Sequence, residues 1–197
     1  MSYIDTLKKR RSIYDLNNSI PIHEDELEAI LQQVLHETPS AFNMQSAYLL
    51  ILMNQEHERL WDIVTATLKK IVPENSFSST QDKMNMFKQA KGTILFFDNR
   101  NIIEQLKIDF PLYKDNFDTF ASHGMGILQG NIWNQLAELN IGASLQQYNP
   151  IVDEEVKKQW NIPKEYELCA QMVFGGIQSI PEPKDKIDDK LRYKVYK

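Results

Sequence analysis

The chain has 197 residues, 42% hydrophobic, 25% charged and 10% aromatic, values inside the ordinary globular range that exclude wholesale disorder. One domain of this length buries about 70% of its unfolded surface without staples, and the single cysteine, Cys169, excludes an intramolecular disulfide framework and a four-cysteine zinc site. A net charge of −5 argues against wholesale nucleic-acid binding, and no stretch approaches the about 18 apolar residues of a membrane span. The expectation is one cytoplasmic domain, residues 1–197, with neither nucleic acid nor membrane as partner.

In chain order, Tyr3, Ile4 and Leu7 predict a short helix that stops near Arg10. Leu27, Ile30, Leu31, Val34 and Leu35 keep helical spacing behind the acids Glu24, Asp25 and Glu26, which suit a helix start, and this helix must end before Pro39. The run Ala47–Met53 is short and continuously apolar, as expected of a strand buried on both faces. Residues 55–72 read as helix, Asn75–Thr80 as a Ser-rich loop followed by a short amphipathic piece, and Gly92–Asp98 as a second buried strand. A long helix over about residues 113–139 carries Phe117, Phe120, Ile127, Leu128, Ile132 and Leu136 as its apolar stripe. Its Gly124, Gly126 and Gly130 each cost about 1 kcal/mol relative to alanine, so something packs close to this backbone, a neighbouring helix first of all. Strands at Ala143–Gln147 and Glu167–Phe174 follow, and helices interleaved with about four strands make an α+β or α/β three-layer domain.

Charge is unevenly placed. Residues 1–12 carry +3 and residues 181–197 carry +2, against −10 in the body. Basic ends on an acidic body point to one anionic ligand, the plain alternative being two solvated tails. Several catalytic patterns are absent. Gly124–Gly130 lacks the dinucleotide-binding spacing and follows no strand, and there is no Walker loop, HExxH helix or nucleophile elbow. Cys169 lies in an apolar strand and reads as a packed, inert thiol.

What remains is Arg10-Arg11-Ser12, two guanidinium forks and a hydroxyl, and the loop Thr38–Ser46, whose Pro39, Ser40, Asn43 and Gln45 suit a heterocycle bearing carbonyls and ring nitrogens. With the blocks Asn140–Pro150, Ala170–Gly176, Pro181–Lys184 and Arg192, the pattern resembles the FMN-dependent nitroreductase family, in its short fungal-type branch shared with bacterial homologues. The resemblance covers nearly the whole chain. It implies an α+β three-layer sandwich, a central mostly antiparallel sheet flanked by helices, in an intertwined homodimer with FMN at the subunit interface and NAD(P)H as reductant.

Carried over residue by residue, the resemblance implies that Arg10, Ser12 and Arg192 hold the FMN phosphate with Arg11 and Lys184 nearby. Pro39, Ser40, Ala41 and Asn43 would come from the partner subunit and line the isoalloxazine, with Gln45 also at the cofactor. Leu145, Gln146, Gln147 and Tyr148 would pass close to the ring, and Phe174, Gly175 and Gly176 would sit below it. Tyr14 stands where many members have a basic residue, and Gln147 where relatives of this branch often show histidine. The function implied is ping-pong reduction of nitroaromatics or quinones, flat acceptors that stack on Phe42 and Tyr148, with no side-chain general base and no metal. A flavin-binding regulator or FMN carrier with little turnover would leave the same residues.

Overall fold

The computed structural model describes residues 2–197. Helices α1 (Tyr3–Lys9), α2 (Glu24–Glu37), α3 (Asn54–Lys69), α4 (Phe77–Lys88), α5 (Arg100–Asp109), α6 (Phe117–Glu138) and α7 (Asp153–Gln159) surround strands β1 (Leu16–Asn17), β2 (Ala47–Met53), β3 (Gly92–Asn99), β4 (Ile141–Gln146) and β5 (Tyr166–Ile177). All strand pairs are antiparallel, and β5 lies between β3 and β4. Gly176 pairs with Asn17 on one edge and Ile141 on the other, so β1 continues the β3 side of β5. This is an α+β sandwich, helices on both faces of an antiparallel sheet, as the resemblance implies.

Alternation along the strands builds the two cores. Leu95, Phe97, Leu168 and Val173 meet Leu60, Trp61 and Val64 of α3 and Met84 and Phe87 of α4. Ile94, Phe96, Ala170, Met172 and Phe174 meet Leu27 and Leu31 of α2 and Leu128, Ile132 and Leu136 of α6. A smaller cluster of Met44, Ile103, Phe117 and Ala121 closes the end where α5 meets α6.

Several expectations are corrected. β2 packs on both cores, Leu50 and Leu52 on the α3–α4 side and Leu49 and Ile51 on the α2–α6 side, but as an edge strand it is only partly covered: Leu52 alone is buried and Tyr48 is exposed. The Ser-rich stretch is not a loop throughout. A 3-10 turn at Glu74–Ser76 leads into α4 at Phe77, where burial of Met84 and Phe87 overrides the weak helix preference of serine. The long helical segment divides into a 3-10 turn, Pro111–Asn116, and α6. α5 and α7 bury one side chain each, Ile103 and Val156, too few for their periodicity to stand out. The glycines of α6 also have no close neighbour of the kind expected. A Cβ at Gly124 would lie 3.6 Å from Ser40 Cβ, ordinary contact, and at Gly126 or Gly130 it would meet nothing within 4 Å among the described residues.

Candidate functional site

The basic N-terminal set is placed by α1 and β4. Ser2 and Asp5 form a capping box, and Thr6 on the inner face of α1 donates to Glu138 of α6 at 2.5 Å. The helix therefore ends with Arg10 above α6, where its guanidinium stacks on the Trp133 ring at 4.5 Å. Ser12 bridges Ala143 in parallel register and the Ile13 N–H donates to the Ala143 carbonyl at 2.9 Å, so Arg10–Ser12 run along the outer edge of β4. Arg11 donates to the Glu182 carbonyl at 2.7 Å. Among the described residues none of Arg10, Arg11, Lys184 and Arg192 forms an ion pair. Trp133 Nε1 and Asn134 Oδ1, on the same stretch of α6, are buried without a hydrogen-bond partner.

The two basic ends meet only in part. Arg11 ties down the chain at Glu182, whereas Lys184 and Arg192 are exposed in the segment 182–197, and no side-chain hydrogen bond joins Arg192 to Arg10 or Ser12.

The loop after α2 is strained. Phe42, Asn43 and Gln45 have φ of 54°, 51° and 48°, a region that bulky L-residues avoid at a cost of about 1–3 kcal/mol each. Ser40 holds the turn together: its hydroxyl accepts from the Gln45 N–H and its carbonyl from the Asn43 N–H, both at 3.0 Å. Phe42 is wedged among four rings, with centroids 4.9 Å from Phe110, 5.5 Å from Tyr113, 5.2 Å from Phe117 and 6.3 Å from Phe120. Asn43 and Gln45 then line a pocket of about 520 Å³ together with His36, Ala47 and Gly124. Pro39 and Ala41 belong to the same turn.

The β4–β5 candidates divide between the two faces. Leu145 packs on the α6 side. Gln146 is buried and donates to Ser144 Oγ at 3.2 Å, while Gln147 is exposed. Tyr148 packs on the α3–α4 side, edge-on to Trp61 at 5.6 Å with Lys83 over its ring, and burial pushes its hydroxyl up to about pKa 12. Phe42 and Tyr148 thus lie in separate aromatic clusters within one chain. Phe174 is fully buried, and Gly175 and Gly176 are packed against the Asn17 and Ser19 carbonyls of the β1 segment, where no Cβ would fit.

Three supports escaped the sequence reading. Trp133 carries Arg10. The rings of Phe110, Tyr113 and Phe120 hold Phe42, with no signal beyond their aromatic type. Gln171 accepts from the Tyr148 N–H at 2.8 Å and fixes the turn after β4, a buried polar residue inside an apolar strand that could have drawn notice. Burial, and then Asp98 and Glu167, push the Cys169 thiol up to about pKa 12, which disfavours the reactive thiolate. No helix among the described residues is long and apolar enough to cross a membrane.

Residues 7–176 match the Nitroreductase family. The chain is 33% identical over 188 residues to the Saccharomyces cerevisiae protein HBN1 (94% of this chain, 93% of that protein) and 30% identical over 190 residues to nitroreductase FRM2 of the same yeast (95% and 94%). Nitroreductase CinD from Lactococcus lactis superposes over the whole of both chains, with a TM-score of 0.93 and 40% identity in its complex with nicotinic acid and 0.91 and 38% in its complex with 4-nitrophenol. A nitroreductase from Desulfitobacterium hafniense with bound FMN shares the fold at a TM-score of 0.73 and 19% identity, over 99% of this chain and 100% of that one. With the family's pattern running through most of its length, the chain belongs to the nitroreductase family.

Proposed function

We propose that the chain is a homodimeric oxidoreductase that holds FMN and uses NAD(P)H to reduce small nitroaromatic or quinone-like acceptors in a ping-pong cycle. The observation that carries this reading is Arg10, fixed over Trp133 at the edge of β4 yet paired with no carboxylate. A guanidinium held in place without a counter-ion is suited to an anion from outside the chain. Arg10 and Ser12 would hold the FMN phosphate, with Arg11, Lys184 and Arg192 adding positive charge.

FMN, when bound, supplies the two-electron redox chemistry. The chain's part is to bind and orient. The loop Pro39–Gln45 would line the isoalloxazine; its left-handed backbone is held by Ser40 and the ring cluster, and the Asn43 and Gln45 side-chain amides would face the ring from the adjoining pocket. Leu145–Tyr148 would pass beside the ring, with Gln171 keeping the Tyr148 turn in place, whereas Phe174–Gly176, buried and packed against β1, would support the site from within the sheet. Phe42 would offer its exposed edge to a flat acceptor. The 4-nitrophenol held by CinD supports that acceptor class.

A second copy is favoured by α6. Gly126 and Gly130 leave open space beside Ile127, which is exposed, and the C-terminal segment leaves Leu191, Tyr193 and Tyr196 in solvent. Exposed apolar side chains and open helix backbone of this kind suit a partner surface, and the resemblance supplies its occupant.

The test is a titration of the purified full chain with FMN, followed by flavin fluorescence, and then NAD(P)H oxidation with a quinone acceptor. The expected Kd is about 1 μM or tighter, with sustained turnover. Arg10→Ala should weaken FMN by about ten- to a hundredfold while riboflavin, which lacks the phosphate, changes little. Binding without turnover would make the chain a flavin carrier, and absence of binding would overturn the reading.

A further inference from the structure

Helix α1 runs antiparallel to the end of α6. Thr6 meets Glu138, and Arg10, a turn further along α1, meets Trp133 further back on α6. The guanidinium carbon of Arg10 lies 4.5 Å from the centroid of the Trp133 ring, and stacking of this kind engages the flat face while the N–H groups in its plane stay free to donate. The indole takes part through its ring alone. Its Nε1 is buried and has no hydrogen-bond partner among the described residues.

A carboxylate stands close enough to cancel this arrangement. Thr6 and Arg10 are four residues apart, about 6 Å along α1, on the face that α1 turns to α6. Glu138, beside Thr6, is thus the acid of α6 next to Arg10, and side chains one turn apart pair readily when their charges are opposite. Yet Arg10 forms no ion pair among the described residues. The Thr6 hydroxyl donates to Glu138 Oε2 at 2.5 Å, and Thr6 is only 7% exposed, so the carboxylate is held inside the helix contact. Lys9 reaches the same end of α6 through the Glu138 backbone carbonyl at 3.5 Å and leaves the carboxylate to Thr6.

We propose that Trp133 and Thr6 are positioning residues for the phosphate end of the flavin and set the preference for FMN over its unphosphorylated form. Trp133 holds Arg10 by its face, Thr6 holds Glu138 away from it, and together they keep the guanidinium edge open to a phosphate. A planar fork kept flat and unpaired suits two phosphate oxygens at once. The inference rests on the flavin reading above.

The experiment measures the dissociation constants of FMN and riboflavin for the purified full chain by fluorescence titration, and their ratio isolates the phosphate. Thr6→Val keeps the side-chain shape and removes the hydroxyl. It should weaken FMN by about threefold or more with riboflavin unchanged, because Glu138 is released to pair with Arg10. Adding Glu138→Gln to Thr6→Val should restore the FMN affinity, a rescue that a merely structural role for Thr6 does not allow. Trp133→Phe keeps a ring face and should retain the ratio, whereas Trp133→Leu should reduce it by about three- to tenfold. Equal loss for both flavins, an unchanged ratio in Thr6→Val, or failure of Glu138→Gln to restore it would overturn the proposal, and the Thr6–Glu138 pair decides it if Trp133→Leu does not fold. A parent chain that binds no FMN overturns the flavin reading and this inference with it. A parent that binds FMN, with a ratio indifferent to these changes, overturns this inference alone.

Discussion

His57 is enclosed on α3 with three neighbours whose hydrogen-bonding roles assign its tautomer. The Phe87 carbonyl, 2.9 Å away, can only accept, so Nε2 carries the proton; Nδ1 then accepts from the Thr93 hydroxyl at 2.9 Å, whose oxygen accepts from Trp61 Nε1 at 3.1 Å. Burial lowers the His57 pKa from 6.5 to about 4, and the fold therefore favours the neutral ring. The contribution to stability is fully present above pH 6.5 and is lost as the pH falls through 4, approaching about 3 kcal/mol. Urea unfolding at pH 7 and at pH 4.5 should show this loss. In His57→Gln the midpoint should begin lower, because the buried bonds are gone, and fall less between the two values. An equal pH dependence in both proteins would assign the acid sensitivity to carboxylates instead. Trp133 teaches a related point at the same scale: Arg10 is legible in the sequence as a basic residue at a helix end, but its partner lies 123 positions away and only folding joins them.

Strand β5 is the element on which the sheet depends, flanked by β3 and β4 along Gln171–Phe174 and by β1 and β4 at Gly176. Its two glycines mark the change of neighbour. The Asn17 carbonyl lies against Gly175 and the Ser19 carbonyl against Gly176, both backbone atoms that cannot rotate away. Gly176→Ala should therefore destabilise the protein by about 1–3 kcal/mol or more through overpacking, read as a lower unfolding midpoint. If the midpoint is unchanged, β1 is displaced without cost and its pairing with β5 is not what the glycine serves. The sequence shows these glycines as a motif but not their reason, since the carbonyls that exclude a Cβ come from the far end of the chain. β2 has the opposite history. Its apolar run marks a strand correctly, yet the number of neighbours a strand acquires is set by its place in the sheet, so an edge strand and a central one look alike when the composition is equally apolar.

At the scale of the whole molecule, α6 distinguishes a lone chain from an assembled one. Gly126→Ala and Gly130→Ala place their Cβ atoms in open space within the chain. For a monomer each would stabilise the helix by about 1 kcal/mol. If a second copy packs there, the same changes weaken association, and sedimentation equilibrium should show the double variant dissociating at concentrations where the parent remains dimeric. A parent that sediments as a stable, fully flavin-loaded monomer would overturn the homodimer.

What the sequence determined by itself follows from local physics. The periodicity of α2, α3 and α6, the continuous apolar run of β3, the helix end before Pro39 and the basic and hydroxyl donors at Arg10 and Ser12 all depend on residues close in the chain, and the motif order carried the family. Tertiary structure alone decided which strand lies at the edge, that Phe42, Asn43 and Gln45 are held left-handed by Ser40 and a ring cluster, that Tyr148 faces away from α6, and that Asp98 Oδ1 is buried without a partner among the described residues. The physical reason is the same in each case. Burial, strain and unpaired hydrogen-bonding capacity are properties of an environment assembled from distant segments, and no window of neighbouring residues contains them.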